Sequence, residues 1–381
     1  MSVFNATRKI IMGGEHLEAE FEDSASVFIV CDPFLNETGK IAYITDILQK
    51  KNIPYTIYAD VKPDPDIETV VRGMESLVKV KPDTLVGFGG GSAIDTCKAI
   101  MFFAEKKSLV GKCRLIAIPT TSGTGSEVTD FAVITDAEKA IKYPLTDQSL
   151  LPDVAVLDAE LTLTLPREIT AISGMDALTH AIEAIVSTEA GDFSDAMAEK
   201  AIKLIRSNLL RVYNNPGDIN ARQAMHNASC LAGAAFNNAG LGLNHGMAHA
   251  LGAHFHIPHG KANAVLLPYV MGYNAGCFDM LTECAGSYAR IARLICVDSC
   301  SIRQSALNLI RSIKKINERL NMPFRIEDTG IDREDFKAAL ADMAEAAVSD
   351  RCTRTNPRKC SKKDVERLYI HAYFGSVGRT L

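Results

Sequence analysis

The short apolar stretch Thr84 to Phe88 runs straight into Gly89-Gly90-Gly91-Ser92 and then into AIDTCKAIMFF, which has the composition and spacing of a helix. No other stretch restricts the fold as tightly. A strand that ends in three glycines and resumes as a helix fits a parallel sheet with crossover helices. The neighbouring sequence repeats the alternation. Ser26 to Val30 reads as a buried strand closed by Cys31-Asp32-Pro33, 37–51 as helix, and Tyr55–Tyr58 as strand. Asp64 to Lys79 reads as helix, with Val70, Val71, Met74 and Leu77 at helical spacing. Leu115–Pro119 is another buried strand, and FAVIT and VAVLD within 128–160 add further strand material.

The glycine turn is open to two readings. It is a tight turn, or it is a cradle whose backbone N–H groups and helix N-terminus receive a phosphate. GFGGGSA lacks the usual GxGxxG spacing, and the acid suited to a ribose, Asp32, precedes the glycines instead of following them by about 20 residues. Asp32 itself is either an ordinary surface carboxylate or an acceptor for ribose hydroxyls that repels a 2′-phosphate. Thr120-Thr121-Ser122-Gly123-Thr124-Gly125-Ser126-Glu127 offers many small donors, as a polar loop with an N-cap or as a second phosphate or ribose cradle.

From about Pro166 the alternation gives way to long alanine-rich helical stretches, SGMDALTHAIEAIVS, SDAMAEKAIKLIRSNLLRVY and ARQAMHNASCLAGAAF, with further helices around 284–296, 302–320, 333–348 and 362–374. The expected architecture is therefore an α/β domain with a parallel sheet over 1–165 and an all-α domain over 166–381. Five of the nine histidines fall in one stretch of the second half, at His245, His249, His254, His256 and His259. His245 and His249 are four apart and share a helix face. Pro258 and Gly260 place His259 at a turn or helix start. Asp176 and His180 are also four apart, in GMDALTHAIEA, a helix apolar enough to be buried. A buried ionised Asp needs a countercharge. One carboxylate plus imidazoles from a second helix makes a compact N3O set for Fe²⁺ or Zn²⁺; satisfied core and loop histidines are the plainer alternative.

The rest of the composition narrows the class. A net charge of −5 gives no argument for nucleic acid or phospholipid. No run approaches 18 apolar residues, and the first residues lack the layout of a secretory signal. Ten cysteines without a CxxC pair read as reduced thiols, so a cytoplasmic location is expected.

GGGSAID at 89–95, PTTSGTGSEVT at 119–129, GMDALTHAIEA at 174–184 and GLNHGMAHALG…PHG at 242–260 together resemble the iron-containing (group III) alcohol dehydrogenases over essentially the full chain. IKYPL at 141–145, SDAMAEKAIKL, MHNASCLAGAAF and TNPRKC at 355–360 look most like the 1-propanol and ethanol dehydrogenases of bacterial microcompartments within that family. The resemblance implies an N-terminal dinucleotide-binding domain, an all-helical C-terminal domain and an active site in the cleft between them. It also implies a homodimer or larger assembly, with a microcompartment shell or its enzymes as partners.

Carried over residue by residue, the family's metal ligands fall on Asp176, His180, His245 and His259, and its non-ligand histidine on His249. His254 and His256 match no ligand position. The NAD(H) positions fall on Asp32, Gly89, Gly90, Gly91, Ser92, Asp95, Thr120, Thr121, Ser122 and Lys142, and the substrate pocket on Phe131 and Cys352. The implied reaction interconverts short primary alcohols and aldehydes, propionaldehyde/1-propanol or acetaldehyde/ethanol, with NAD(H) and Fe²⁺; Zn²⁺ or another divalent ion would also suit the donors. His249 relays a proton or supports the ligands. The alternatives are a metal- and NAD-dependent lyase of the dehydroquinate synthase type, another diol or polyol dehydrogenase of the superfamily, and a non-catalytic binder.

Overall fold

A computed structural model describes residues 3–63, 65–136 and 141–375, with the side chains of 136, 141 and 142 outside the description. The chain divides into two compact units, 5–164 and 165–381 together with 1–4. The first is α/β and the second helical, the expected fold class.

In the first unit the elements are β1 (Lys9–Met12), β2 (Val27–Cys31), α1 (Pro33–Glu37), α2 (Ala42–Lys50), β3 (Tyr55–Tyr58), α3 (Ile67–Val80), β4 (Thr84–Gly89), α4 (Gly91–Lys106) and β5 (Arg114–Pro119). An antiparallel pair, β6 (Phe131–Asp136) and β7 (Ile141–Thr146), and a last strand, β8 (Val154–Leu157), complete it. The main sheet is parallel throughout, in the order β1-β8-β5-β4-β2-β3. Its central strands are buried on both faces, which is why they read as continuous apolar runs. Ile29, Cys31, Val86, Phe88, Ile116 and Ile118 share one core with Ile44 and Leu48 of α2. Phe28, Val30, Leu85 and Leu115 share the opposite core with Val70 and Leu77 of α3 and Ile100 of α4. The side-chain period of two thus sorts each strand between two helical layers.

Two strands were not foreseen. β1 has only four residues with one of them buried, too short and too exposed for a pattern. β7 carries Pro144, which removes a ladder donor and suits only an edge strand. The helix expected over 37–51 is α2, Ala42–Lys50, preceded by the separate short helix α1, with Gly39 at φ +74 between them.

The second unit comprises α5 (Arg167–Val186), α6 (Asp192–Asn214), α7 (Ile219–Ala239), α8 (Leu243–Phe255), α9 (His259–Asn274), α10 (Ala285–Leu294), α11 (Ile302–Arg319), α12 (Arg333–Ser349) and α13 (Lys362–Phe374). Side chains start several of them: Asp218 accepts from the Ala221 amide at 3.0 Å, Ser301 from Gln304 at 3.1 Å, and Ser361 forms a capping box with Asp364. Helix α5 is buried on nearly all sides, its apolar residues packed in one core with those of α6, α7 and α9. Three ionisable side chains, Asp176, His180 and Glu183, nonetheless sit in its buried part.

Candidate functional site

Those three side chains mark the centre of the helical unit. Asp176, His180 and Glu183 are spaced four and three residues apart, so all lie on one face of α5. Helix α8 crosses nearby and supplies His245, with His180 and His245 stacked at 4.7 Å between ring centroids. Helix α9 opens on His259, directly after Pro258, as a proline-bounded start requires. Gly260 lets that start lie against α5. A Cβ there would stand 2.3 Å from the Ile172 carbonyl oxygen, so only glycine permits the approach. His259 Nε2 is consequently 3.5 Å from Asp176 Oδ1, and His245 Nε2 is 4.0 Å from the same oxygen.

One donor atom from each of Asp176, His180, His245 and His259 lies within 4.8 Å of every other. Bonds of about 2.0–2.2 Å in a tetrahedron imply donor separations of about 3.3–3.6 Å. The two distances from Asp176 approach that spacing, and a carboxylate with three imidazoles is a donor set for Fe²⁺ or Zn²⁺. Asn263, one turn beyond His259, sits against the same atoms. Its Nδ2 donates to Asp176 Oδ1 at 2.8 Å and stands 3.2 Å from His245 Nε2 and 3.1 Å from His259 Nε2. The residues present therefore fit a divalent ion.

A second ring of side chains fixes these donors. Glu183 Oε2 pairs with His245 Nδ1, which leaves Nε2 turned to the centre. Its other oxygen accepts from the Asn244 amide at 2.8 Å, so the carboxylate also faces the N-terminus of α8. Gly242 makes room, since a Cβ there would be 2.8 Å from Glu183 Oε1. Burial pushes the Glu183 carboxyl up to about 8, against the pull of the amides of Asn244, His245 and Gly242. Burial, with His180, His259 and His249 alongside, holds His245 well below the ordinary imidazole range, hence neutral as a ligand must be. Asn244 Nδ2 donates to Asn263 Oδ1 at 2.9 Å and so aims the Asn263 amide.

His249 shares the α8 face with His245 and stacks on His259 at 5.2 Å between ring centroids, but its Nδ1 engages a different carboxylate. Its Nδ1 is 2.9 Å from Asp350 Oδ2, at the C-terminal end of α12. The other Asp350 oxygen accepts from the Cys352 amide at 2.7 Å. Burial works to raise Asp350, but His249 and Cys352 hold it net below its usual range. Burial, then Asp350, pushes the Cys352 thiol well up. His254 packs on Phe255, and His256 ends α8 at φ +53; neither belongs to the four-residue group.

In the first unit, Asp32 and the glycines come together through the sheet. β2 and β4 are neighbours, with Cys31 opposite Phe88, so the residues following each strand meet at its C-terminal end. The chain leaves β2 toward β3 and leaves β4 toward β5, on opposite sides. Open α/β sheets bind ligands at such a switch point. Asp32 Oδ2 accepts from the Gly90 amide at 3.3 Å, and burial raises its carboxyl while that bond lowers it. Gly89 has φ +149, and a Cβ on it would stand 2.3 Å from Asp32 Oδ2. Thr120 follows β5 with its amide on Gly89 O at 2.9 Å, and Thr121 borders Gly90. Ser92 lies in the first turn of α4, and Ser122 is buried just beyond Thr121.

Asp95 points elsewhere, and its Oδ2 accepts from the Val133 amide at 3.0 Å inside the unit. It supports β6 from one turn beyond Gly91 on α4. Phe131 opens β6, its carbonyl held by Lys98 Nζ at 2.9 Å. Lys142 is on β7 and its side chain lies outside the described residues.

Glu183, Asn244, Asn263, Asp350 and Lys98 were missing from the sequence reading. Glu183 and Asn263 had a usable signal, being three residues from His180 and four from His259 on the same helix faces. Asp350 had none, lying 101 residues from its histidine.

The chain is similar to known proteins along most of its length. Residues 7–159 match the family model for iron-containing alcohol dehydrogenase, and residues 170–373 match that for the Fe-containing alcohol dehydrogenase family, C-terminal. The 1-propanol dehydrogenase PduQ of Salmonella typhimurium is 43% identical over 345 residues, 90% of this chain and 91% of that protein. The NADPH-dependent butanol dehydrogenase of Clostridium saccharobutylicum is 38% identical over 392 residues, 99% of each. Among solved structures, an alcohol dehydrogenase from Oenococcus oeni superposes with a TM-score of 0.90 at 33% identity, covering 98% of this chain and 100% of that one.

Proposed function

The chain belongs to the iron-containing alcohol dehydrogenase family, and from that premise we propose that it interconverts short primary alcohols and aldehydes, with propionaldehyde/1-propanol or acetaldehyde/ethanol as the pair. It is an alcohol dehydrogenase, an oxidoreductase dependent on NAD(P) and a metal. The finer reading assigns Fe²⁺ to Asp176, His180, His245 and His259, with Zn²⁺ acceptable to the same donors. The observation that carries it is the convergence of those four donor atoms within 4.8 Å of one another. When bound, the ion supplies Lewis acidity toward the substrate oxygen, and the nicotinamide gives or takes the hydride.

The chain's own residues do the rest. Asp32 accepts ribose hydroxyls and repels a 2′-phosphate, which favours NAD(H). The amides of Gly91 and Ser92 at the start of α4, with Gly89, Gly90, Thr120, Thr121 and Ser122, receive the phosphates. Lys142 is assigned to the nicotinamide ribose. His249, its Nδ1 engaged by Asp350, presents Nε2 to take the alcohol proton and pass it on. Phe131 and Cys352 are each assigned to substrate recognition, and the bulk of Phe131 suits a short alkyl chain better than a diol. Assembly as a homodimer and entry into a microcompartment belong to the same proposal, with light scattering and co-purification with shells as their checks.

Metal-free protein refilled with single metals tests the core of it. NADH oxidation should return with Fe²⁺ and be faster with propionaldehyde or acetaldehyde than with lactaldehyde. No turnover of any aldehyde with any refilled metal would overturn the reading. His249→Ala should keep the metal and lose turnover about 10²-fold or more; loss of metal instead would make His249 a support for the ligands.

A further inference from the structure

His249, Asp350 and Cys352 form a second cluster of donor side chains, sharing no residue with the four-residue group. Its geometry follows from two backbone features. Asp350 leaves the end of α12 in extended conformation, at φ −61 and ψ 141, and the chain turns at once into a short 3₁₀ segment, Cys352–Thr355. Gly246 lets α8 approach this corner, since a Cβ there would be 2.2 Å from Thr353 Oγ1 and 2.9 Å from the Ala347 carbonyl oxygen. His249, three residues on, then meets Asp350 at 2.9 Å. An imidazole nitrogen, a carboxylate oxygen and the Cys352 sulfur all lie within 4.8 Å of one another. The His249 and Asp350 side chains are 26% and 21% exposed, so an ion can reach them.

We propose that these three residues are a second cation site, selective for a thiophilic divalent ion of the zinc class, and that filling it silences the enzyme. Selectivity follows from the donors. The four-residue group has only nitrogen and oxygen, whereas this one adds sulfur, which favours zinc-like ions over harder ones. The exchange balances in protons. The thiol S–H bond breaks and its proton goes to solvent as the sulfur–metal bond forms. Asp350 stays a carboxylate. A neutral imidazole bound to the ion through Nδ1 carries its proton on Nε2. One proton is released for each ion bound. With Nε2 protonated, His249 has no lone pair to accept the proton of the alcohol. The binding stands on the cluster alone, whereas the loss of activity rests on the role proposed for His249 above.

Cobalt(II) separates the two sites because cobalt–thiolate bonds absorb in the near ultraviolet and bonds to nitrogen and oxygen do not. The background is Cys296→Ser/Cys300→Ser, which removes two exposed thiols remote in sequence from both groups. Added to metal-free protein, the first equivalent of Co²⁺ should restore turnover without the thiolate band. The second should bring the band, release one proton and lower turnover about 10²-fold at saturation. In Cys352→Ser the band should vanish while the visible spectrum of the first equivalent persists, which also shows that the variant is folded. Zn²⁺ added to the doubly loaded protein should erase the band and leave turnover low. A band that never appears, or that survives in Cys352→Ser, overturns the site. Turnover unchanged with the band present overturns the silencing. Failure of the first equivalent to restore turnover strikes the proposed function instead, and does so whatever the thiolate band shows.

Discussion

Each unit buries a knot of ionisable side chains, and the two knots are closed in opposite ways. In the first unit Lys98 is fully buried on α4 and donates to Thr129 O at 2.6 Å, Thr129 Oγ1 at 3.1 Å and Phe131 O at 2.9 Å. Asp95 and Glu127 flank it as countercharges. In the second unit Asp176 and Glu183 are buried among imidazoles, and no lysine or arginine is bonded to either carboxylate among the described residues. The first knot carries its own cation. The second has two carboxyl groups, a neutral His245 and donor atoms facing one point, with no such cation of its own among the described residues.

That contrast can be broken at either end. Replacing His245 by Ala should strip the divalent ion and lower turnover by more than about 10³-fold, the scale of Lewis-acid assistance. Metal analysis of the purified variant checks it, and an unchanged metal content would make the second knot as self-contained as the first. Glu183→Gln should keep the fold but weaken metal affinity about 10- to 100-fold, because it alters the carboxyl group that pairs with His245 Nδ1 and orients the ring. Competition with a chelator measures this, and unaltered affinity would reduce Glu183 to a helix cap.

The first knot should answer in stability instead. Burial lowers the Lys98 ammonium to about 8, against the pull of Asp95, Glu127 and Asp130. Between about pH 8 and the ordinary lysine value of 10.5, the unfolded chain therefore binds a proton that the folded one does not, and unfolding free energy rises with pH. The rise across that window should approach roughly 3 kcal/mol and should flatten in Lys98→Met. Denaturant melts of both proteins at stepped pH check it, and parallel curves would mean that the ammonium is not desolvated. The smallest effect is expected at Asp32. Its replacement by Gly should raise NADPH use relative to NADH about tenfold, equivalent to about 1.4 kcal/mol, as read from the kcat/KM ratio.

The local parts of this structure were legible in the sequence and the distant ones were not. Asp176 with His180, and His245 with His249, are helical neighbours that spacing alone aligns. Spacing could not tell that His245 turns toward Asp176 while His249 turns to Asp350, because Glu183 and Asp350, which decide it, come from other helices. The alternation of apolar runs gave the parallel sheet, but not the order that seats β2 beside β4. That order explains the odd fingerprint of the glycine turn. Asp32 precedes the glycines because it ends the strand next to theirs, so acid and glycines meet across the sheet and not along one βαβ unit. Asp95 follows the glycines on α4, and its bond to the Val133 amide of β6, 38 residues on, was not legible in the motif.

The missing side chain at Gly260 has a consequence beyond room for α9. Asp176 and His259 face each other across two long rods held backbone to side chain at that glycine and Ile172, with no pliant loop between the contact and the donors. The separation of Asp176 and His259 is thus set by the seating of one rod on another. A single methyl group at 260 would have to push α9 off the Ile172 carbonyl, and should shift that separation without touching any of the four donors.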